Sequence, residues 1–150
     1  TTTSTTTTGS TYARARPMPQ PTEAELAAMR AERERQDAER AACEARAEAL
    51  LLSSITPRQA SQYRRLKWFT VRGASGDQYR VRKGRVGNVD RIDAAGRVVD
   101  RWCAHPAEFV PDCDTMLAQA LMLETDDAHF RRMANMHPPT ADRVPAAELH

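Results

Sequence analysis

The chain has 150 residues, 41% of them apolar and 28% charged, with a formal net charge of +2. That length allows one modest core, and no apolar run approaches the roughly 18 residues that cross a bilayer, so a membrane-spanning helix is excluded and a soluble protein without a membrane partner is expected. Three cysteines, odd in number and irregularly spaced, argue against a disulfide framework and for a reducing compartment.

The charge is unevenly distributed. Residues 1–55 hold 7 basic and 8 acidic side chains, residues 56–105 hold 12 and 4, and residues 106–150 hold 3 and 8, giving −1, +8 and −5. A middle segment of that sign attracts polyanions or an acidic neighbour, and the segment of opposite sign can neutralise part of it.

Residues 1–21, TTTSTTTTGSTYARARPMPQP, are low in complexity, free of acids, and carry Pro17, Pro19 and Pro21. Such a segment buries too little to fold alone and reads as an extended arm, either a disordered tail or one that orders on neighbouring subunits. An organelle transit peptide is the competing reading, against which stand the missing amphipathic period and the prolines. The opening also lacks the apolar stretch of a secretory signal.

Residues 22–55 are rich in Ala, Glu and Arg without Gly or Pro and predict one long helix. Thr22 and Glu25 form a capping-box pattern, and Arg30 with Glu34, Arg35 with Glu39 and Arg40 with Glu44 can pair along it. Ala24, Ala28, Ala31, Arg35, Ala38, Ala42, Ala45, Ala49 and Leu52 step by four and three, a heptad seam of alanine that permits close but weak association. A solvated charged helix, its alanines reflecting propensity alone, is the alternative. Docking is expected at Leu50–Leu52.

Residues 56–136 predict a small α+β domain. Thr56, Pro57 and Gln59 start a short helix to about Lys67 with Tyr63 and Leu66 inward. The period then changes from helical to alternating: WFTVR and QYRVR flank GASGD as a hairpin, and two further strands, RVGNVDRI and RVVDRWCAH, complete a four-stranded antiparallel meander. One face holds Phe69, Val71, Tyr79, Val81 and Val89, with Arg72, Arg80 and Arg82 on the solvated face. After Pro111, Asp112 or Asp114 caps a helix with Met116, Leu117, Ala120, Leu121 and Leu123 inward. A second short helix begins near Thr125 with Phe130, Met133 and Ala134 inward, and residues 137–150 form a proline-rich tail.

The sequence bears on three chemistries: metal binding, catalysis and nucleic-acid contact. Cys103 and His105 share a strand face and Cys113 follows after a proline-bounded loop, two thiolates and an imidazole that suit zinc, but without a paired fourth ligand. The alternative is Cys103 packing as a small hydrophobe and His105 ending the strand. Enzyme signatures are missing: GASGD lacks the Lys-Ser/Thr of a phosphate loop, Ser75 lacks the glycine of a nucleophile elbow, and Asp112 with Asp114 lacks the rest of a calcium loop. Neither catalysis nor a cofactor is therefore expected. Arg64, Arg65, Lys67, Arg72, Arg80, Arg82, Lys83 and Arg85, with Trp68 and Tyr79, could hold phosphates and stack bases, or could be the solvated face of an ordinary sheet.

Residues 50–135 resemble a group of small proteins encoded by bacteriophages and bacterial genomes. The likeness lies in the Thr56-Pro57 start, the G-x-x-G hairpin ending in Tyr79-Arg80-Val81, Asn88-Val89, Cys103-x-His105-Pro106, Pro111-x-x-Asp114 and the Leu-Ala-Gln/Leu-Glu helix. The arm, the alanine-striped helix and Cys113 lie outside that pattern. The resemblance implies a phage or prophage origin and hence a virion component or host-interaction factor. The expected function is therefore a non-enzymatic virion structural or accessory protein, capsid- or tail-associated and acting like a cement or decoration protein. Its partners are other virion proteins met during assembly in the bacterial cytoplasm, with contacts through Ala28, Ala31, Ala38, Ala42, Ala45, Ala49 and Leu52. The alternative is a small basic nucleic-acid-binding regulator, with or without a structural zinc.

Overall fold

The structure, a computed structural model, describes residues 2–3, 9 and 12–149. Most of the Thr-rich opening of the expected arm lies outside the described residues. Contacts divide the chain into a unit Thr1–Gln36 and a unit Asp37–His150, and the boundary falls within helix α1, Glu23–Ser54.

In the first unit every described residue is exposed. Helix α1 begins where its cap dictates: Glu25 N donates to Thr22 Oγ1 at 3.2 Å and Thr22 N donates to Glu25 Oε2 at 2.7 Å, so two orphan amides of the first turn are satisfied reciprocally. Arg35 closes on Glu32 at 2.6 Å along the helix surface.

In the second unit the end of α1 buries Ala47 and Leu51, flanked by half-buried Cys43, Glu44, Glu48 and Leu52. Helix α2, Pro57–Leu66, has the full capping box of Thr56 and Gln59 with proline in the first turn, and ends at Lys67 in the left-handed region, φ 61°. Tyr63 is inward as expected; Leu66 is exposed, because the chain turns out of the helix at Lys67 to enter the sheet.

The sheet has five antiparallel strands rather than four. Strands β1 (Trp68–Arg72), β2 (Gln78–Arg82), β3 (Val89–Ile92) and β4 (Val98–Cys103) form the expected meander, and β5 (Asn135–His137) adds to β4, giving the order β1-β2-β3-β4-β5. Three residues before Pro138 carry no alternating pattern, and the partner strand lies a whole helix away in sequence, so β5 had no local signal. Asp93 makes the β3–β4 turn: its carboxylate accepts from Ala95 N and Arg97 N at 2.9 Å, and its carbonyl accepts from Gly96 N at 3.0 Å.

Helix α3, Asp112–Met133, bends at Asp126, φ −161° and ψ 83°. Its N-cap is Pro111 without a side-chain cap; Asp112 and Asp114 instead lie in the first turn, where they complement the helix dipole. Past the bend Asp126 Oδ1 accepts from His129 N at 2.9 Å and caps the second segment, while Thr125 donates back to Leu121 O at 2.7 Å.

The principal core lies on one sheet face. Phe69, Val71, Tyr79, Val81, Val89 and Trp102 meet Leu51, Tyr63 and the α3 residues Cys113, Met116, Ala120, Leu123 and Phe130. Among the buried α3 residues, those at 113, 116, 120, 123, 127 and 130 form a stripe that steps by three and four, and Thr115 and Gln119 are buried beside it. Leu121 and Met133 fall off that stripe and are exposed, correcting the inward placement read from their apolarity. Residues 138–149 cover the other sheet face. Val144 is buried against Ile92 and Val98, its N–H donates to Gly96 O at 2.8 Å, and a short 3-10 turn follows at Ala146–Glu148. No helix among the described residues is long and apolar enough to cross a membrane.

Candidate functional site

Inward Phe69, Val71, Tyr79 and Val81 fix the residues between them on the opposite face. There the register aligns Thr70, Arg80, Asp90, Arg101 and His137 in one row across all five strands. Asp90 is fully buried and accepts from Arg80 Nε at 2.8 Å, Arg82 Nε at 2.8 Å and Arg101 Nε at 2.9 Å. Arg80 also donates to Asp142 at 2.6 Å, and its guanidinium lies 5.5 Å from the Trp68 ring centroid. Three guanidinium groups thus meet two carboxylates, one from the sheet and one from the covering segment. The hydrogen bond from Arg80 holds the Asp142 carboxyl below the ordinary aspartate range.

The covering segment is pinned again at α2. Glu148 accepts from Arg65 at 2.9 Å and Gln62 at 3.1 Å, which hold it below the ordinary glutamate range. Gln62 Oε1 accepts from Thr70 N and Gln59 Nε2 donates to Thr70 O, each at 2.9 Å. Two side-chain amides therefore satisfy main-chain groups of the edge strand β1 that would otherwise be open to another strand.

The eight cations expected to form one surface are dispersed. Arg80 is buried and Arg82 half-buried inside the ionic row, which corrects their placement on a solvated face; residues arriving some 60 positions later cover them. Arg65 is paired with Glu148. Lys67 lies 5.0 Å from the Tyr63 ring and Arg85 lies 5.1 Å from the Phe109 ring. Arg64, Arg72 and Lys83 are exposed. Tyr79 belongs to the core. Asp90, Arg101, Asp142 and Glu148 were missed by residue type alone; the opposite parity of Arg80, Asp90 and Arg101 to the apolar positions was the available signal.

The thiols and the histidine have separate surroundings. Cys113 is buried against the Tyr63 hydroxyl at 3.1 Å, which also donates to Glu48 at 2.9 Å. Burial pushes the Cys113 thiol up, so it stays protonated at neutral pH. Cys103 donates to Arg85 O at 3.2 Å, and exposed His105 approaches Pro106 O at 3.2 Å. Cys103 and His105 line a pocket of about 430 Å³ with Asp114, Met122, Met133 and Asn135, but Cys113 does not. Among the described residues no three His, Cys, Asp or Glu side chains are grouped to hold a metal ion.

Asp127 is a buried carboxylate between the β1–β2 turn and α3. Burial raises it, but bonds from Ser75 and Tyr79, with the Arg131 charge, outweigh this and hold it below the ordinary range. Tyr79 Oη donates to it at 2.8 Å, and Ser75 donates through N at 3.1 Å and through its hydroxyl. The Tyr79 phenol is pushed up, first by burial and then by this bond. The groups satisfy one another, which suits a clasp between turn and helix. On α1, Ala28, Ala31, Ala38, Ala42, Ala45 and Ala49 are exposed, and Leu52 packs against the core.

Comparison of the chain with protein-family models, with curated proteins and with solved structures gives no match in any of the three.

Proposed function

We propose that the protein is a non-catalytic component of a larger assembly, acting through protein–protein contacts, with α1 as its association element. The observation that supports this reading most is that residues 23–42 of α1 are exposed throughout, about 30 Å of helix at the usual rise. Helix propensity alone stabilises such a length only marginally in water, so a partner helix would stabilise as well as bind it. Leu26 and Met29 are exposed there, and the alanine seam lets a second helix approach closely. The phage resemblance supplies the setting: a virion accessory protein on a capsid or tail, with other virion proteins as partners, assembled in the bacterial cytoplasm.

Sedimentation over about a hundredfold concentration range tests the association. The native chain should gain mass with concentration, while Ala38→Glu with Ala45→Glu should stay monomeric at unchanged helix content. A native chain that is monomeric throughout and missing from purified particles by mass spectrometry would contradict the proposal.

A further inference from the structure

The segment 138–149, which carries two carboxylates and the one guanidinium of Arg143, is a strap laid over a basic sheet face, and we infer that it occupies the binding surface of a single-stranded nucleic acid and yields to it. The strap places each of its two carboxylates on an arginine, Asp142 on Arg80 and Glu148 on Arg65. Beneath it the sheet supplies Arg80, Arg82 and Arg101 with one carboxylate of its own, Asp90, and His137 ends the same row. Without Asp142 that row carries three guanidinium groups against a single acid, and without Glu148 the α2 end of the face gains Arg65. Phosphates are the natural replacement for carboxylates at such positions, because guanidinium bonds phosphate as well as carboxylate.

Trp68 makes the face suited to a single strand. Its half-buried ring lies on this side beside Arg80 and against the strap's own apolar cluster, so lifting the strap uncovers an aromatic surface among cations. An unpaired base can stack there, whereas a duplex keeps its bases inside.

The attachment is suited to exchange. Val144 is the strap's one fully buried side chain, in a cluster with Ile92 and Val98 against which half-buried Leu149 packs, and the other anchors are polar: Val144 N to Gly96 O, Arg58 to Leu149 O, Gln62 to Glu148, and the two ion pairs. Gly96 is required for the fit, since its φ is +81° and a Cβ there would run into Val144 O. The inference stands apart from the assembly reading, and neither depends on the other.

Fluorescence anisotropy with a labelled oligothymidylate of about 20 nucleotides tests it. Asp142→Ala with Glu148→Ala leaves the Val144 anchor in place and should bind at least about tenfold tighter than the native chain, with affinity falling steeply as salt rises from about 50 to about 300 mM. Val144→Asp should do the same, and adding Arg101→Ala to the double variant should reverse the gain. In the native chain, saturating oligonucleotide should accelerate hydrogen exchange at the Val144 amide. If the folded double variant binds no tighter than the native chain, or if polyglutamate but not the oligonucleotide exposes Val144, the inference is wrong.

Discussion

The two faces of the sheet are built from the same strands and held in opposite ways. On one, Phe69, Val71, Tyr79, Val81 and Val89 are closed over by a helix through the apolar stripe Cys113, Met116, Ala120, Leu123 and Phe130. On the other, a carboxylate and three arginines are closed over by an irregular strap that buries one valine. Apolar contact is non-directional and many-partnered, so the first face resists any single change that leaves volume intact. The ionic row depends on counter-charge, most of it from buried Asp90, so the exposed Asp142 of the strap can be exchanged for another anion without loss of the row.

Substitutions should separate the two faces. Phe69→Ala empties the middle of the apolar face and should cost about 3–5 kcal/mol in urea unfolding. Asp90→Ala leaves three arginines around a missing charge and should cost about 3 kcal/mol, whereas Asp142→Ala, on a side chain 54% exposed, should cost under about 1 kcal/mol. If Asp142→Ala proves as costly as Asp90→Ala, the strap is part of the permanent core. Thr56→Ala, which removes the α2 cap without touching either face, should cost about 1 kcal/mol.

Acid should act on the strapped face first. Asp142 and Glu148 both titrate below their ordinary values, so what they contribute is fully present above the unfolded-state values near 4 and is lost as pH falls through the lowered ones. Exchange protection at Val144 should therefore hold from neutrality to about pH 5 and decline below about pH 4, while near-ultraviolet circular dichroism from the main core persists. Protection that is flat across that window would remove the two carboxylates from the account of strap closure.

The sequence made legible what is decided locally. The boxes at Thr22 and Thr56, the hairpin around GASGD, the Asp93 turn and the inward alternation of Phe69 to Val81 all follow from residues within a few positions of each other. What it hid is decided at long range. Arg80 alternates as a solvent residue should and is buried only because Asp142 arrives from the C-terminal segment. Strand β5 is legible only once β4 is known to offer an edge. On α1 alanine favours helix on every side, so composition could not distinguish the docked positions Ala47 and Leu51 from the exposed seam at Ala38, Ala42, Ala45 and Ala49. The thiols illustrate the same limit: Cys103 and Cys113 are near in sequence, yet one lines a pocket and the other belongs to the core.

The contrast between a permanent and an exchangeable face is tested most directly by native-state hydrogen exchange in low denaturant. The Val144 amide, bonded to Gly96 O, should exchange through a local opening nearly independent of denaturant, at a free energy well below that of the β2 amides, which should exchange only on global unfolding. Equal free energies and equal denaturant dependence at Val144 and in β2 would contradict the account, because strap and core would then open as one unit.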